Sequence, residues 1–382
     1  MNHPFLDPAQ SIQVVGMRRV RNHFYLLSIL LLLSGALFAQ NRRDILSYTD
    51  ANGNLKKIQN ASDLAMKRRE VQARIMDVTG PLPNMKGLAP PKAIFLDSLH
   101  TEKFTRYLVH LQSFDNEIVP LLLYVPHKIP KGKKIPAVLA LHGTGEKGKY
   151  LVDSSAAGPN RATATELAHR GYIVIAPDYP SFGELSKHDF AKDRFKSGMM
   201  QAVFNNMRCI DYLQSRPDVD GNKIGAIGHS LGGHTAMFLG AFDERVKIIV
   251  ASCGWTQFEY YDAGAKVTQQ HGGKLGPWAQ DRYMPYVREK FGLDPARMPF
   301  NFDEIIATFA PRYFFSNSPV NDSNFNSQGI REGEKSARKI YDLLGVGERL
   351  EVHYPVAEHD FPLTVKTKSY AKMDKVLKGK SQ

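Results

Sequence analysis

Ile224-Gly225-Ala226-Ile227-Gly228-His229-Ser230-Leu231-Gly232-Gly233-His234 decides how this chain is read. The segment contains G-x-S-x-G, with an apolar strand pattern before it and an apolar helical pattern, Leu231–Phe242, after it. A serine at so sharp a strand-to-helix turn is held in a strained backbone conformation, and its Oγ projects above the sheet. Gly228 and Gly232 lack a Cβ, so strand and helix can close tightly around it. The helix start beneath adds free N–H groups and a positive dipole end, which favour a developing oxyanion.

A hydroxyl attacks at neutral pH only with a base to take its proton and an acid to orient that base. On a serine of this kind they follow in chain order, the acid first and then the histidine. His359 stands in Tyr354-Pro355-Val356-Ala357-Glu358-His359-Asp360-Phe361-Pro362, after the last strand pattern, and is the expected base. Asp322 stands in Ser316–Phe325, after the preceding strand pattern, and is the expected acid. Asp360 is the nearest rival, but a neighbour in sequence is poorly placed to reach the ring of His359. The oxyanion donors are expected to be the backbone N–H of Leu231 and that of Thr144, in the glycine-rich loop His142-Gly143-Thr144-Gly145.

Outward from the serine, strand and helix patterns alternate. Residues 104–114 and 117–125 form a hairpin pattern; further strands fit 137–141, 172–176, 223–228, 246–251, 312–316 and 350–354. Helices fit 161–170, 194–215, 231–242, 328–344 and 363–378. Several strands are continuous apolar runs, as a sheet covered on both faces requires. Repeated βα units imply right-handed crossovers and a mostly parallel sheet. Trp255–Phe302 breaks the alternation. It is long, aromatic and irregular, and it follows a strand's carboxyl end, where open α/β sheets bind ligands. It is expected to be a cap insertion, with Trp255, Tyr283 and Arg282 as candidate substrate-binding residues. Before the sheet, residues 40–88 form a polar arm with one helix, capped by Ser62 or Asp63 and stopped by Gly80-Pro81.

At the start of the chain Arg18, Arg19 and Arg21 precede an apolar run, Phe24–Ala39, that ends in small residues. This is the grammar of a secretory signal over 1–39, with Met17 an alternative start. The run is 16 residues, short of the ~20 that span a bilayer. A secreted or periplasmic location without a stable membrane span is therefore expected. The 382 residues carry 43% apolar and 23% charged side chains, an ordinary globular composition that excludes disorder and fibrous classes. Two cysteines are too few for a disulfide scaffold, and Cys209 and Cys253 read as buried thiols, although export would permit a bond. The net charge of +12 is spread along the chain. Lys131, Lys133, Lys134, Lys147 and Lys149 read as a solvated face. No recognition motif points to nucleic acid, and nothing implies a metal or an organic cofactor. Oligomeric state is not legible.

The segments LALHGTGEKG (139–148), IVIAPDYPSFGE (173–184), IGAIGHSLGGH (224–234), APRYFFSNSPVNDSNF (310–325) and YPVAEHDFP (354–362) resemble the α/β-hydrolase superfamily. The likeness is greatest to its dienelactone-hydrolase-like and acetyl-xylan-esterase-like secreted branch. It implies an eight-stranded, mostly parallel sheet flanked by helices, a cap after the sixth strand and a catalytic domain over 89–382. It also implies Ser230, Asp322 and His359 as the triad above that sheet. Dienelactone hydrolases carry cysteine where this chain has Ser230, which favours a serine esterase. The expected activity is hydrolysis of a carboxylic ester, an acetylated carbohydrate among the candidates. Two rivals are a peptidase similar to prolyl oligopeptidases and a non-catalytic binding protein on the same fold. The first lacks the long repeats of a propeller here, and the second should have lost triad members.

Overall fold

The computed structural model describes residues 44–115 and 117–379. The expected signal segment, 1–39, lies outside them. From Ile45 onward the elements run as follows. A small antiparallel hairpin, β1 (Ser47–Thr49) and β2 (Leu55–Lys57), leads into α1 (Ala61–Thr79). Then come β3 (Lys92–His100), β4 (Phe104–Phe114), β5 (Glu117–Pro126), β6 (Ile135–Leu141), α2 (Thr163–His169), β7 (Ile173–Pro177), α3 (Gly198–Ser215), β8 (Val219–His229) and α4 (Leu231–Phe242). After β9 (Val246–Ser252) the irregular stretch holds α5 (Ala265–Gln270) and α6 (Tyr286–Glu289), and α7 (Phe302–Ala307) closes it. The chain ends with β10 (Tyr313–Asn317), α8 (Ser327–Leu343), β11 (Leu350–His353) and α9 (Leu363–Met373).

The main sheet has nine strands in the order β11-β10-β9-β8-β6-β7-β5-β4-β3. The pairs from β11 through β6 to β7 are parallel, and β7-β5-β4-β3 is antiparallel. One strand exceeds the expected eight. Lys92–His100 adds to the antiparallel edge, where most of its side chains stay exposed. A bulge between Phe95 and Asp97 breaks the period-2 signal that would have announced it. The insertion therefore follows the seventh strand of the sheet, β9, which is the sixth of those expected.

The pleat of β6 shows how the layers are filled. Ala137, Leu139 and Leu141 join the core beneath α3 and α4, while Val138 and Ala140 join the core beneath α2 and α9. A strand buried on both faces has no polar phase, so its sequence is an unbroken apolar run. From β6 the chain passes to β7 on one side and later to β8 on the other. That reversal opens a crevice at the carboxyl ends of β6 and β8, where the loops of open α/β sheets gather ligands.

α1 is capped two residues before the earlier of the two expected positions, by Asn60. The Asn60 side chain accepts from the N–H groups of Ser62 and Asp63 at 2.9 and 3.0 Å, so these two residues lie inside the helix. The helix is fixed by charge as well as by Leu64, Val71 and Ile75. Lys67 Nζ and Arg74 Nη1 reach the buried Glu304 carboxylate of α7 at 3.2 and 3.0 Å.

Candidate active site

Ser230 follows β8 directly and caps α4 with φ 56° and ψ −123°, a conformation costly for a residue with a Cβ. Two backbone bonds hold it there. Its N–H donates to Ser252 O of β9 at 2.8 Å, and its carbonyl accepts from His234 N at 3.0 Å. The flanking glycines are obligatory. A Cβ on Gly228 would overlap the backbone of Gly232, and one on Gly232 would overlap the Leu141 carbonyl of β6.

His359 and Asp322 come to this turn from the loops after β11 and β10. His359 Nδ1 lies 2.9 Å from Asp322 Oδ2. The other oxygen, Asp322 Oδ1, accepts from Asn324 N and Phe325 N at 2.9 and 3.2 Å. Burial pushes the Asp322 carboxyl up. The bond and charge of His359 and the Asn324 N–H outweigh burial, and the group is held below its ordinary range. Since Nδ1 is engaged by a carboxylate, Nε2 is the ring nitrogen left for proton transfer. Phe325 stacks on the His359 ring at 6.0 Å, and Trp278 continues that aromatic wall to His234.

Ser230 and His359 line a cavity of about 250 Å³ together with His229, Arg161, Thr163, Gly143, Thr144, Leu141, Leu151, Val152 and Gly158. Leu231 is buried as the first residue of α4, so its N–H belongs to the free donors of that helix end. Thr144 sits at the rim, its Oγ1 3.0 Å from Tyr283 Oη of the insertion. Its loop is stiffened from below. His142 is buried, stacks on Tyr179 at 4.1 Å and donates from Nδ1 to Gly143 O at 2.7 Å. Burial lowers the His142 pKa to about 4, so the ring stays neutral.

The candidate substrate-binding residues divide. Tyr283 touches the Thr144 loop, and Arg282 packs over Phe182 and Tyr283 while donating from Nη2 to Gln280 Oε1 at 2.7 Å. Trp255 does not line the cavity. It is fully buried, donates from Nε1 to Ser316 Oγ at 2.9 Å and packs on Phe314. Its position just after a strand places it under α8, in the core. Lys149 likewise leaves the expected solvated face. It is buried, with Nζ 2.6 Å from both Asp178 Oδ2 and Glu184 Oε1, while Lys131, Lys133, Lys134 and Lys147 are exposed.

Sequence reasoning missed Arg161 and His229. The expected helix over 161–170 takes in Arg161, whereas α2 begins at Thr163 and leaves Arg161 in the loop before it. His229 was a bystander in the motif, yet its ring meets that of His359 edge-on at 4.8 Å and its Nδ1 bonds Ser252 Oγ at 2.9 Å. Burial, with Arg161 and His359 nearby, keeps it neutral. Among the described residues one trio of possible metal ligands stands together, His229, Cys253 and His359, with ligand atoms within 4.8 Å of one another. The trio is otherwise engaged. Cys253 donates to Asp360 O at 3.2 Å, and burial holds it as a thiol rather than a thiolate. Cys209 is also a buried free thiol.

A family profile described as "Glucuronyl esterase, fungi" matches residues 189–345. YtaP of Bacillus subtilis (strain 168), described as a hydrolase, is 25% identical over 307 residues, covering 76% of this chain and 94% of its own. Dipeptidyl peptidase 8 of Homo sapiens is 28% identical over 241 residues, and this chain spans only 24% of its length. Among solved structures, a glucuronoyl esterase from Solibacter usitatus superposes with TM-score 0.64 at 19% identity, over 87% of this chain and 97% of its own. At that identity the likeness speaks for the fold.

Proposed function

We propose that the chain is a carboxylic-ester hydrolase of the α/β-hydrolase superfamily in which Ser230, His359 and Asp322 carry the reaction on a carbohydrate ester. The observation that carries the assignment is the 2.9 Å bond from His359 Nδ1 to Asp322, beside a serine held at φ 56° in the same cavity as His359.

His359 Nε2 takes the Ser230 proton as Oγ attacks the ester carbonyl. The oxyanion forms against the N–H groups of Leu231 and Thr144, donors fixed before the reaction begins. Asp322 stabilises the imidazolium without taking its proton. His359 returns the proton to the leaving alcohol, and the acyl group stays on Ser230. Water, deprotonated by the same nitrogen, attacks the acyl-enzyme and releases the acid.

Two supports point to sugar rather than lipid. The matching family profile and the Solibacter structure are named for glucuronoyl esters. The cavity sets Arg161, His229, Thr144 and Thr163 against Leu151 and Val152, a mixed lining that suits a hydroxylated group more than a long alkyl chain. A glucuronoyl ester, in which the sugar is the acyl part, is the leading substrate, and an acetylated sugar follows. Residues 1–39 are a signal for export, 40–88 a docking arm, and 89–382 the catalytic domain with its cap over 255–302. No helix among the described residues is long and apolar enough to cross a membrane.

The test compares benzyl glucuronate, p-nitrophenyl acetate and a dipeptidyl p-nitroanilide on wild type and Ser230→Ala. Ester turnover that disappears with Ser230 is expected. Anilide cleavage exceeding ester cleavage would move the protein to the peptidase reading, which the dipeptidyl peptidase similarity favours.

A further inference from the structure

His359 lies in a loop, where nothing in the secondary structure fixes its backbone. A base displaced by about 1 Å loses on the order of 100-fold in rate, so the carbonyl side of this residue needs an anchor as much as the ring does. The structure supplies one from the segment just before α2. Arg161 Nη2 donates to His359 O at 3.0 Å, and Nη1 reaches Asp360 Oδ1 at 2.6 Å. Asn160 Nδ2 holds the other oxygen, Asp360 Oδ2, at 3.0 Å. Asn317 Nδ2 and Cys253 Sγ donate to Asp360 O at 2.9 and 3.2 Å. Burial raises the Asp360 carboxyl, but the bonds from Arg161 and Asn160 hold it ionised. Arg161 also lines the cavity with Ser230 and His359.

We propose that Arg161 is a positioning residue for the reaction, clamping His359 from behind through its carbonyl and through Asp360. The clamp rests on the reading of Ser230, His359 and Asp322 as the triad. It gives Asp360 the task of holding the histidine's loop while Asp322 holds its ring. A planar fork suits two acceptors on adjacent residues, and an ammonium cannot reproduce it.

The experiment measures kcat and KM for p-nitrophenyl acetate in wild type, Arg161→Ala, Arg161→Lys, Asp360→Asn and the Arg161→Ala/Asp360→Asn double variant, with thermal unfolding as the control for folding. Arg161→Ala is expected to lose about 10–100-fold in kcat with KM inside roughly threefold. The double variant should be no worse than the weaker single, because both substitutions break one device. Guanidinium ion added to Arg161→Ala should restore part of kcat and leave wild type unchanged. Should Arg161→Ala not fold, Arg161→Lys carries the test, with kcat lowered and KM held. The proposal is overturned by kcat within threefold of wild type in the folded variant, by a loss lying in KM, or by losses that multiply in the double variant. Ser230→Ala run in parallel separates the two ideas. Undiminished turnover there sinks the serine mechanism, whereas a dead Ser230→Ala beside a fully active Arg161→Ala sinks only the clamp.

Discussion

Replacing Ser230 by glycine should make the protein more stable than replacing it by alanine, although both variants are dead. The residue sits at φ 56° and ψ −123°, where a side chain costs about 1–3 kcal/mol. Alanine keeps the Cβ and therefore the strain. Glycine removes it but gives the unfolded chain more freedom, which offsets about 0.4–1 kcal/mol. The glycine variant should come out ahead by roughly 1–2 kcal/mol. For a folded chain of about 340 residues the unfolding entropy is ~0.7 kcal/mol/K, so its Tm should lie about 1.5–3 °C above that of the alanine variant. Comparing two variants that both lack the hydroxyl cancels any hydrogen bond of Oγ. The assay is urea unfolding of both at equal m-value, with kcat measured alongside and expected to fall by about 10³–10⁶-fold in each. Equal midpoints, or a higher midpoint for alanine, would refute the reasoning. The turn would then be relaxed, and its geometry would owe nothing to the bonds to Ser252 O and from His234 N.

Acidification should weaken the fold well before the carboxylates titrate. Burial holds His142 at about 4 and His234 at about 3, and keeps His229 well below its ordinary value. The unfolded chain takes up protons on all three near 6.5, so their contribution is complete above that pH and falls as pH drops toward the folded values. Each costs roughly 1.4 kcal/mol per pH unit in this window, and unfolding free energies at pH 7, 6 and 5 should decline accordingly. A flat profile would contradict the burial of these rings. At the oxyanion loop, Asp178→Asn should cost about 3–5 kcal/mol, because it strips the buried Lys149 ammonium of one of its two partners. The same change should lower kcat, since the two Asp178 oxygens accept from Lys149 N at 2.7 Å, five residues past Thr144, and from Glu184 N at 3.1 Å, and an amide has one oxygen for both. Stability within about 1 kcal/mol of wild type would show that Glu184 alone suffices.

What was legible in the sequence is what short-range sterics write there. The Gly228/Gly232 spacing is demanded by backbone atoms that lie against each other, so the turn, the end of β8 and α4 could be located to within a residue, while β8 starts four residues before the expected 223. Continuous apolar runs marked β6, β7 and β9 for the same reason: a strand covered on both faces must be apolar throughout. β3 escaped because an exposed edge strand satisfies only backbone bonds, and its bulge scrambles the alternation. Trp255 was misplaced because an aromatic after a strand serves a core and a pocket equally well. Only the Ser316 acceptor and α8 above it decide for the core.

Two carboxylates, Asp322 and Asp360, stand near His359, and Asp322 bonds its ring. Chain order favoured Asp322, and local geometry argued against Asp360, but neither says what Asp360 does instead. Its partner Arg161 is 199 residues away, and pairing at that range leaves no period or spacing to read. Lys149 presents the same problem, since five lysines close in sequence look alike until Asp178 and Glu184 select one for burial. In both cases a charge was invisible as a structural element because its counter-charge came from another loop. The groups that perform the chemistry lie near motifs, where backbone strain constrains the sequence. Those that hold them in place are ion pairs between loops, constrained only by the finished fold. Substitutions at Arg161 or Asp178 should therefore damage catalysis without touching Ser230, Asp322 or His359.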